Sequence, residues 1–147
     1  MLGGSPPAIQ EHAKHAEGRS RLDVEVDAVP HIRGVPGLDT HPDHEIARRQ
    51  MTGFGGMICF EVGGGYAAAC RVYDRLKVIR RAASLGGTES LVSLPVLTSQ
   101  YGLTDEQLAA AGVTRGMLRL SVGLEDLFDL MQDLDQALGA GAAADVV

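Results

Sequence analysis

The chain has 147 residues, 45% of them apolar and 22% charged, with a formal net charge of −6; that is one domain's worth of chain with enough apolar material for a core. Aromatic residues make up only 4%, with no Trp, so a base-stacking nucleic-acid surface lacks its material, and the acidic balance opposes phosphate backbones and anionic membranes alike. Two cysteines, Cys59 and Cys70, fit a reducing compartment better than a disulfide scaffold. The stretch "MLGGSPPAIQEH" has neither the cationic nor the apolar region of an export signal, and no run reaches the length of a membrane span. A cytoplasmic protein is expected, with no nucleic-acid or membrane partner.

In chain order, residues 1–28 are polar and poorly periodic, with a weak helical pattern at 9–16. "VPHIRGVPGLDTHP" holds three prolines and two glycines in fourteen residues and reads as an extended, turn-rich lead-in. In "THPDHEIARRQM", Pro42 suits a first helical position, Asp43 and Glu45 suit a first turn, and His41 falls at the N-cap; the helix should stop at Gly53. "GGMICFEVGGG" is a short strand, with Met57, Cys59 and Glu61 on one face and Ile58, Phe60 and Val62 on the other. "YAAACRVYDRLKVIRRA" predicts a helix over 66–82, with Ala69, Val72, Tyr73, Leu76 and Ile79 near a 3.6 period.

"ESLVSLP" predicts a strand ended by Pro95. "TDEQLAAAG" carries a capping box, Thr104 with Gln107, and closes at Gly112. "GMLRLSV" is a further strand. "LEDLFDLMQDLDQALGAG" is a helix with a stripe of Leu127, Met131, Leu134 and Leu138, and the tail 141–147 should fray. This alternation predicts an α+β domain, an α/β sandwich in which a small, mostly antiparallel sheet is covered by helices.

Several residues invite a functional reading. Alternation puts Leu118, Leu120 and Val122 on one face of their strand and Met117, Arg119 and Ser121 on the other. Arg119 can therefore project from the face without helices, where its planar fork could hold a carboxylate through two parallel hydrogen bonds; a plain solvent-facing arginine is the alternative. "AASLGGTESL" can bring backbone close to a ligand or simply turn the chain. It is not a phosphate loop, and "GFGGMI" and "GGGY" lack dinucleotide-fingerprint spacing. His31, His41 and His44 lie among acids, but Pro42 sends His41 along a different path from His44, so no metal site is expected. Glu125, Asp126, Asp129, Asp133 and Asp135 read as first-turn and solvated-face charges, and Lys77 as an exposed helix lysine.

Taken together, "VPGLDTHPDHEIARRQMTGFGGMICFEV", "RAASLGGTESLVSLP" and "GVTRGMLRLSVGLEDLFDLMQDLDQAL" resemble the C-terminal domain of the pyridoxal-phosphate-dependent enzymes of Cys/Met metabolism. That family includes cystathionine γ-synthase, cystathionine lyases, methionine γ-lyase and homoserine-ester sulfhydrylases. The likeness is in order and nearly gap-free over 36–138, and the segments are jointly specific. It implies the C-terminal domain of a fold-type I PLP-dependent transferase over 29–140. It also implies that Arg119 binds the α-carboxylate of the amino-acid substrate and that Ser84 and Leu85 wall the same pocket. A substrate tethered this way is oriented toward the cofactor, which supplies the electron sink.

The family's Schiff-base lysine, in its Ser/Thr-rich context, has no match: Lys14 and Lys77 sit elsewhere. Residues 1–28 likewise do not match the family's long lead-in helix. The expectation is a truncated or disrupted product, or a fragment. It should contain no catalytic, cofactor-binding or metal-binding residue of its own and bind pyridoxal 5'-phosphate tightly only as part of a complete enzyme. It is expected to be inactive alone, and either to pair with a cofactor-binding domain or to form a homo-oligomer. The complete enzyme would carry out β- or γ-elimination or γ-replacement on a sulfur amino acid or homoserine ester. Ala83 stands where cystathionine enzymes commonly carry an acid, and Gln100 where many members have histidine. A non-catalytic interaction or dimerisation module is the rival reading.

Overall fold

A computed structural model of the chain describes residues 31–32 and 34–139; the predicted helix at 9–16 and the tail 141–147 lie outside them. The elements are β1 (His31–Ile32), α1 (His44–Gln50), β2 (Met57–Glu61), α2 (Gly65–Arg75), β3 (Arg80–Arg81), β4 (Leu91–Ser93), a 3-10 turn (Pro95–Leu97), α3 (Asp105–Ala110), β5 (Met117–Ser121) and α4 (Leu127–Leu138). They form the expected α+β arrangement. The strands make one sheet in the order β1-β2-β5-β4-β3, with every pairing antiparallel except β3 with β4. β1 and β3 are two-residue edge strands that the sequence pattern leaves invisible.

The alternation of β2 and β5 sorts the sheet into two faces. Phe60, Leu118, Leu120 and Val92 pack against Ala69 and Val72 of α2 and Leu130 and Ala137 of α4 to form the core. Leu118 and Ala69 are fully buried.

Helix α2 ends at Arg75, seven residues short of the predicted end at residue 82. The 3.6 pattern runs on through Leu76 and Ile79, and both are buried, but Leu76 is already extended. Ile79 reaches the core from a turn. The cause lies 54 residues away. The carboxylate of Asp133 in α4 accepts the backbone N–H groups of Lys77 at 2.8 Å, Val78 at 2.9 Å and Ile79 at 2.8 Å. Gln136 donates to the Arg75 carbonyl at 2.8 Å and to Asp133 Oδ1 at 3.0 Å. One helix thus satisfies the frayed end of the other, and Lys77 is exposed on a turn rather than within a helix.

Burial pushes the Asp133 carboxyl up, but the three N–H donors and Gln136 outweigh it and hold it below the usual aspartate value. Asp133 is 3% exposed, not a solvated-face charge. The same geometry corrects the phase of α4. Its buried stripe is Leu130, Asp133 and Ala137 with Leu134 beside it, whereas Leu127 is 70% and Met131 50% exposed.

The capping box of α3 forms as the spacing predicts: Thr104 Oγ1 accepts from Gln107 N at 3.3 Å, and Gln107 Oε1 from Thr104 N at 2.9 Å. Thr104→Ala should therefore cost about 1 kcal/mol in thermal or urea denaturation. Helix α1 starts later than Pro42 suggests. Asp43, not His41, is the N-cap residue, while His41 Nδ1 accepts from Asp43 N at 3.1 Å.

Candidate functional site

The central position of β5 is Arg119, directly opposite Cys59 of β2 and Ser93 of β4. All three side chains stand on the face away from α2 and α4. That face is largely covered although no helix packs on it. Met117 is 6% and Ser121 4% exposed, and Leu91 and Ser93 are also buried. Gly34 and the 84–90 loop fold over it. Gly34 donates its N–H to the Cys59 carbonyl at 3.3 Å, and a Cβ on Gly34 would lie 3.0 Å from Cys59 Cβ. Of the β5 trio only Arg119 remains partly exposed.

The guanidinium Nη2 of Arg119 donates to the Ser84 carbonyl at 3.2 Å. Its Nε is buried with no partner, and so is Ser93 Oγ at the paired position. Native interiors leave few such groups unmatched, and a cationic donor with open valence is suited to an anion. Burial pushes the Cys59 thiol up and the neighbouring Arg119 charge partly offsets it, so Cys59 is a neutral wall of the site at neutral pH.

Ser84 and Leu85 ride on an exposed loop whose place is set by the end of β5 and the turn after it. Gly86 N donates to Ser121 Oγ at 3.0 Å, and Leu124 N to the Thr88 carbonyl at 2.8 Å. The Glu125 carboxylate takes Ser90 N and Ser90 Oγ, each at 2.7 Å, and Gly123 N donates to the same Oγ at 2.8 Å. The structure thus brings Arg119 and Ser84 together through a main-chain oxygen, with Leu85 exposed beside them. Sequence alone does not mark Ser90, Ser93, Gly123 or Glu125 as site residues. Alternation puts Ser121 on the Arg119 face, but nothing local announces that Ser90 pairs with a glutamate 35 residues on.

The other candidates lie apart. His44 Nδ1 is 2.9 Å from the Pro36 carbonyl and Nε2 3.3 Å from Asp39, and its ring stacks on Phe54. His31 belongs to β1. Among the described residues no group of three His, Cys, Asp or Glu side chains could hold a metal, and no helix is long and apolar enough to cross a membrane. Gln100 lines a cleft of about 460 Å³ with Tyr66, Tyr101 and Arg115. Lys77, the one lysine among the described residues, stands on the helix side of the sheet, opposite Arg119. The described residues therefore do not supply a Schiff-base lysine beside the guanidinium, and they do not fit pyridoxal phosphate as a self-contained site.

Residues 21–139 match the family model described as Cys/Met metabolism PLP-dependent enzyme. The chain is 42% identical over 127 residues to L-methionine gamma-lyase of Fusobacterium nucleatum subsp. polymorphum, covering 85% of this chain and 32% of that protein. It is 44% identical over 103 residues to cystathionine gamma-lyase of Dictyostelium discoideum, covering 70% and 27%. Among solved structures, cystathionine gamma synthase from Xanthomonas oryzae pv. oryzae superposes with a TM-score of 0.67 at 39% identity, over 88% of this chain and 32% of that one. The chain spans about a third of the length of these relatives.

Proposed function

The chain belongs to the Cys/Met-metabolism PLP-dependent enzymes, and on that premise we propose that it forms the carboxylate-binding part of the substrate site of such an enzyme. Arg119 is the anchor. Ser84, through its carbonyl, holds the guanidinium from one side, and Leu85 walls the pocket. The observation that carries this reading is the Arg119 guanidinium, fixed by one neutral acceptor and left with an unmatched Nε on a largely covered sheet face. No acidic side chain pairs with it among the described residues, so its charge is available for a substrate carboxylate.

In the complete enzyme the substrate would be a sulfur amino acid such as cystathionine or methionine, or a homoserine ester, undergoing β- or γ-elimination or γ-replacement. Pyridoxal phosphate would supply the electron sink there, from a cofactor-binding domain with which this chain pairs. The contribution of this chain is orientation. A carboxylate held by two N–H groups cannot swivel, and fixing the reacting carbon in this way is worth orders of magnitude in rate.

The rival, a non-catalytic interaction module, is favoured by one feature: Leu124, Leu127, Phe128 and Met131 are exposed at and before the start of α4. The two readings part on carboxylate recognition, which a docking module does not need.

The test is a titration of the ¹⁵N-labelled chain with L-methionine and with L-methioninol, which lacks the carboxylate. L-Methionine should shift the amides of Ser84, Leu85 and Gly86 and bind roughly 10- to 100-fold more tightly than the alcohol, the worth of a charge-assisted bidentate contact. Arg119→Ala should erase the difference. Arg119→Lys should recover little of it, because an ammonium lacks the fork. Equal responses to the two ligands in the native chain would sink the proposal.

A further inference from the structure

We infer that Glu125 is a positioning residue for the Arg119 carboxylate site, acting through the 84–90 loop; the inference rests on the carboxylate reading above and deepens it.

The loop has no apolar anchor of its own. Residues 83–89 are exposed, Leu85 included, so their place is set by polar contacts. A flexible, glycine-containing loop would otherwise sample many arrangements. Three points of the loop are tied to the end of β5 and the turn after it: Gly86 to Ser121, Thr88 to Leu124 and Ser90 to Glu125. The Arg80–Glu89 pair at 3.1 Å joins exposed groups and contributes little to order.

Of these three ties, the Glu125 contact is the charged one, and it is double. One carboxylate oxygen takes the Ser90 amide and the other the Ser90 hydroxyl, each at 2.7 Å. Because Ser90 Oγ donates to Glu125, its lone pairs face Gly123 N, which donates to it at 2.8 Å. The serine rotor is therefore locked from both sides, and Ser90 is fully buried. The glutamate thus fixes the point at which the loop joins β4, on the strand that carries Ser93.

The consequence reaches the guanidinium in two steps. Ser84 presents its carbonyl to Arg119 Nη2 only while the loop holds its path. If the loop drifts, the guanidinium loses that acceptor, and with Nε already unmatched it is free to rotate out of the plane a carboxylate would meet. Glu125 need not touch the substrate to set the strength with which the substrate is held.

Two variants test this, Glu125→Ala and Glu125→Gln; the second keeps one acceptor for the Ser90 amide. The readouts are amide exchange at Gly86 and Ser90, the Arg119 Nε–H resonance, the L-methionine to L-methioninol affinity ratio and the melting temperature. For Glu125→Ala the expected result is roughly tenfold faster exchange at Ser90, a shifted and broadened Arg119 resonance and a roughly tenfold smaller affinity ratio in a folded chain. Glu125→Gln should fall between it and the native chain, a graded rescue that general destabilisation would not produce. A native affinity ratio in folded Glu125→Ala would overturn the inference. If the native chain itself does not distinguish the two ligands, the carboxylate reading fails, and the Arg119 resonance and Gly86 exchange alone judge Glu125: movement upholds its hold on the loop, and no movement overturns it. Should Glu125→Ala not fold, the same outcomes are read from Glu125→Gln.

Discussion

Asp133→Ala should cost about 3–5 kcal/mol and lower the melting temperature by on the order of 10 °C. The substitution strips the acceptor from three consecutive backbone N–H groups, those of Lys77, Val78 and Ile79. It also removes one of the three acceptors of the Gln136 amide, which keeps the Arg75 and residue-133 carbonyls. Ile79 is buried, so its N–H cannot simply turn to water. Asp133→Asn is nearly as harmful by a different route. One carboxylate oxygen holds Lys77 N and the other holds both Val78 N and Ile79 N, so an amide nitrogen in either place faces a donor with a donor.

The pH dependence has a definite sign. The folded-state value of Asp133 lies below the ordinary aspartate value, so its stabilisation is fully present above that ordinary value. It is lost as the pH falls through the folded one. Native Asp133 should therefore give an acid-labile transition that Asp133→Asn lacks, measurable by urea midpoints from pH 7 downward.

Gly123→Ala should be the most damaging glycine substitution at the site. A Cβ there would lie 2.5 Å from both Glu89 C and Thr88 O and 2.6 Å from Ser90 N. These are backbone atoms with no flexible end to swing away, so the loop or the turn must move as a whole. The backbone angle of Gly123 is ordinary; the penalty is steric rather than conformational. A cost of about 1–3 kcal/mol is expected, together with loss of the L-methionine preference, because the displaced segment carries Ser84. Gly53→Ala is the control. Nothing lies within 4 Å of its added carbon, and it should be neutral or stabilising by a few tenths of a kcal/mol. Differential scanning calorimetry on the two variants separates crowding from a general intolerance of alanine. Equal melting temperatures for both would refute the close-approach account.

What was legible in the sequence was whatever depends on near neighbours. Two-residue alternation sorts Met117, Arg119 and Ser121 from Leu118 and Leu120, and the structure keeps that sorting. The capping box of Thr104 and Gln107 needs only a spacing of three, and it forms. The segments that resemble the Cys/Met-metabolism enzymes are likewise read residue by residue.

Tertiary structure decided the rest, because the deciding partner lies far along the chain. Apolar residues at 127, 128, 130, 131, 134, 137 and 138 allow more than one helical stripe, and an aspartate at the centre of the buried one disguised it. Asp133 itself read as a surface charge because its three donors sit more than 50 residues upstream. For the same reason helix α2 looked seven residues too long: periodicity cannot show that a carboxylate elsewhere offers its last N–H groups a better acceptor than another turn would. The Arg119 site follows the same rule. Its guanidinium and its face were readable from one strand, while its acceptor at Ser84 and the Glu125–Ser90 clamp behind it exist only once β4 and β5 lie side by side. Local sequence determines which way a side chain points; the long-range contact determines what it meets there.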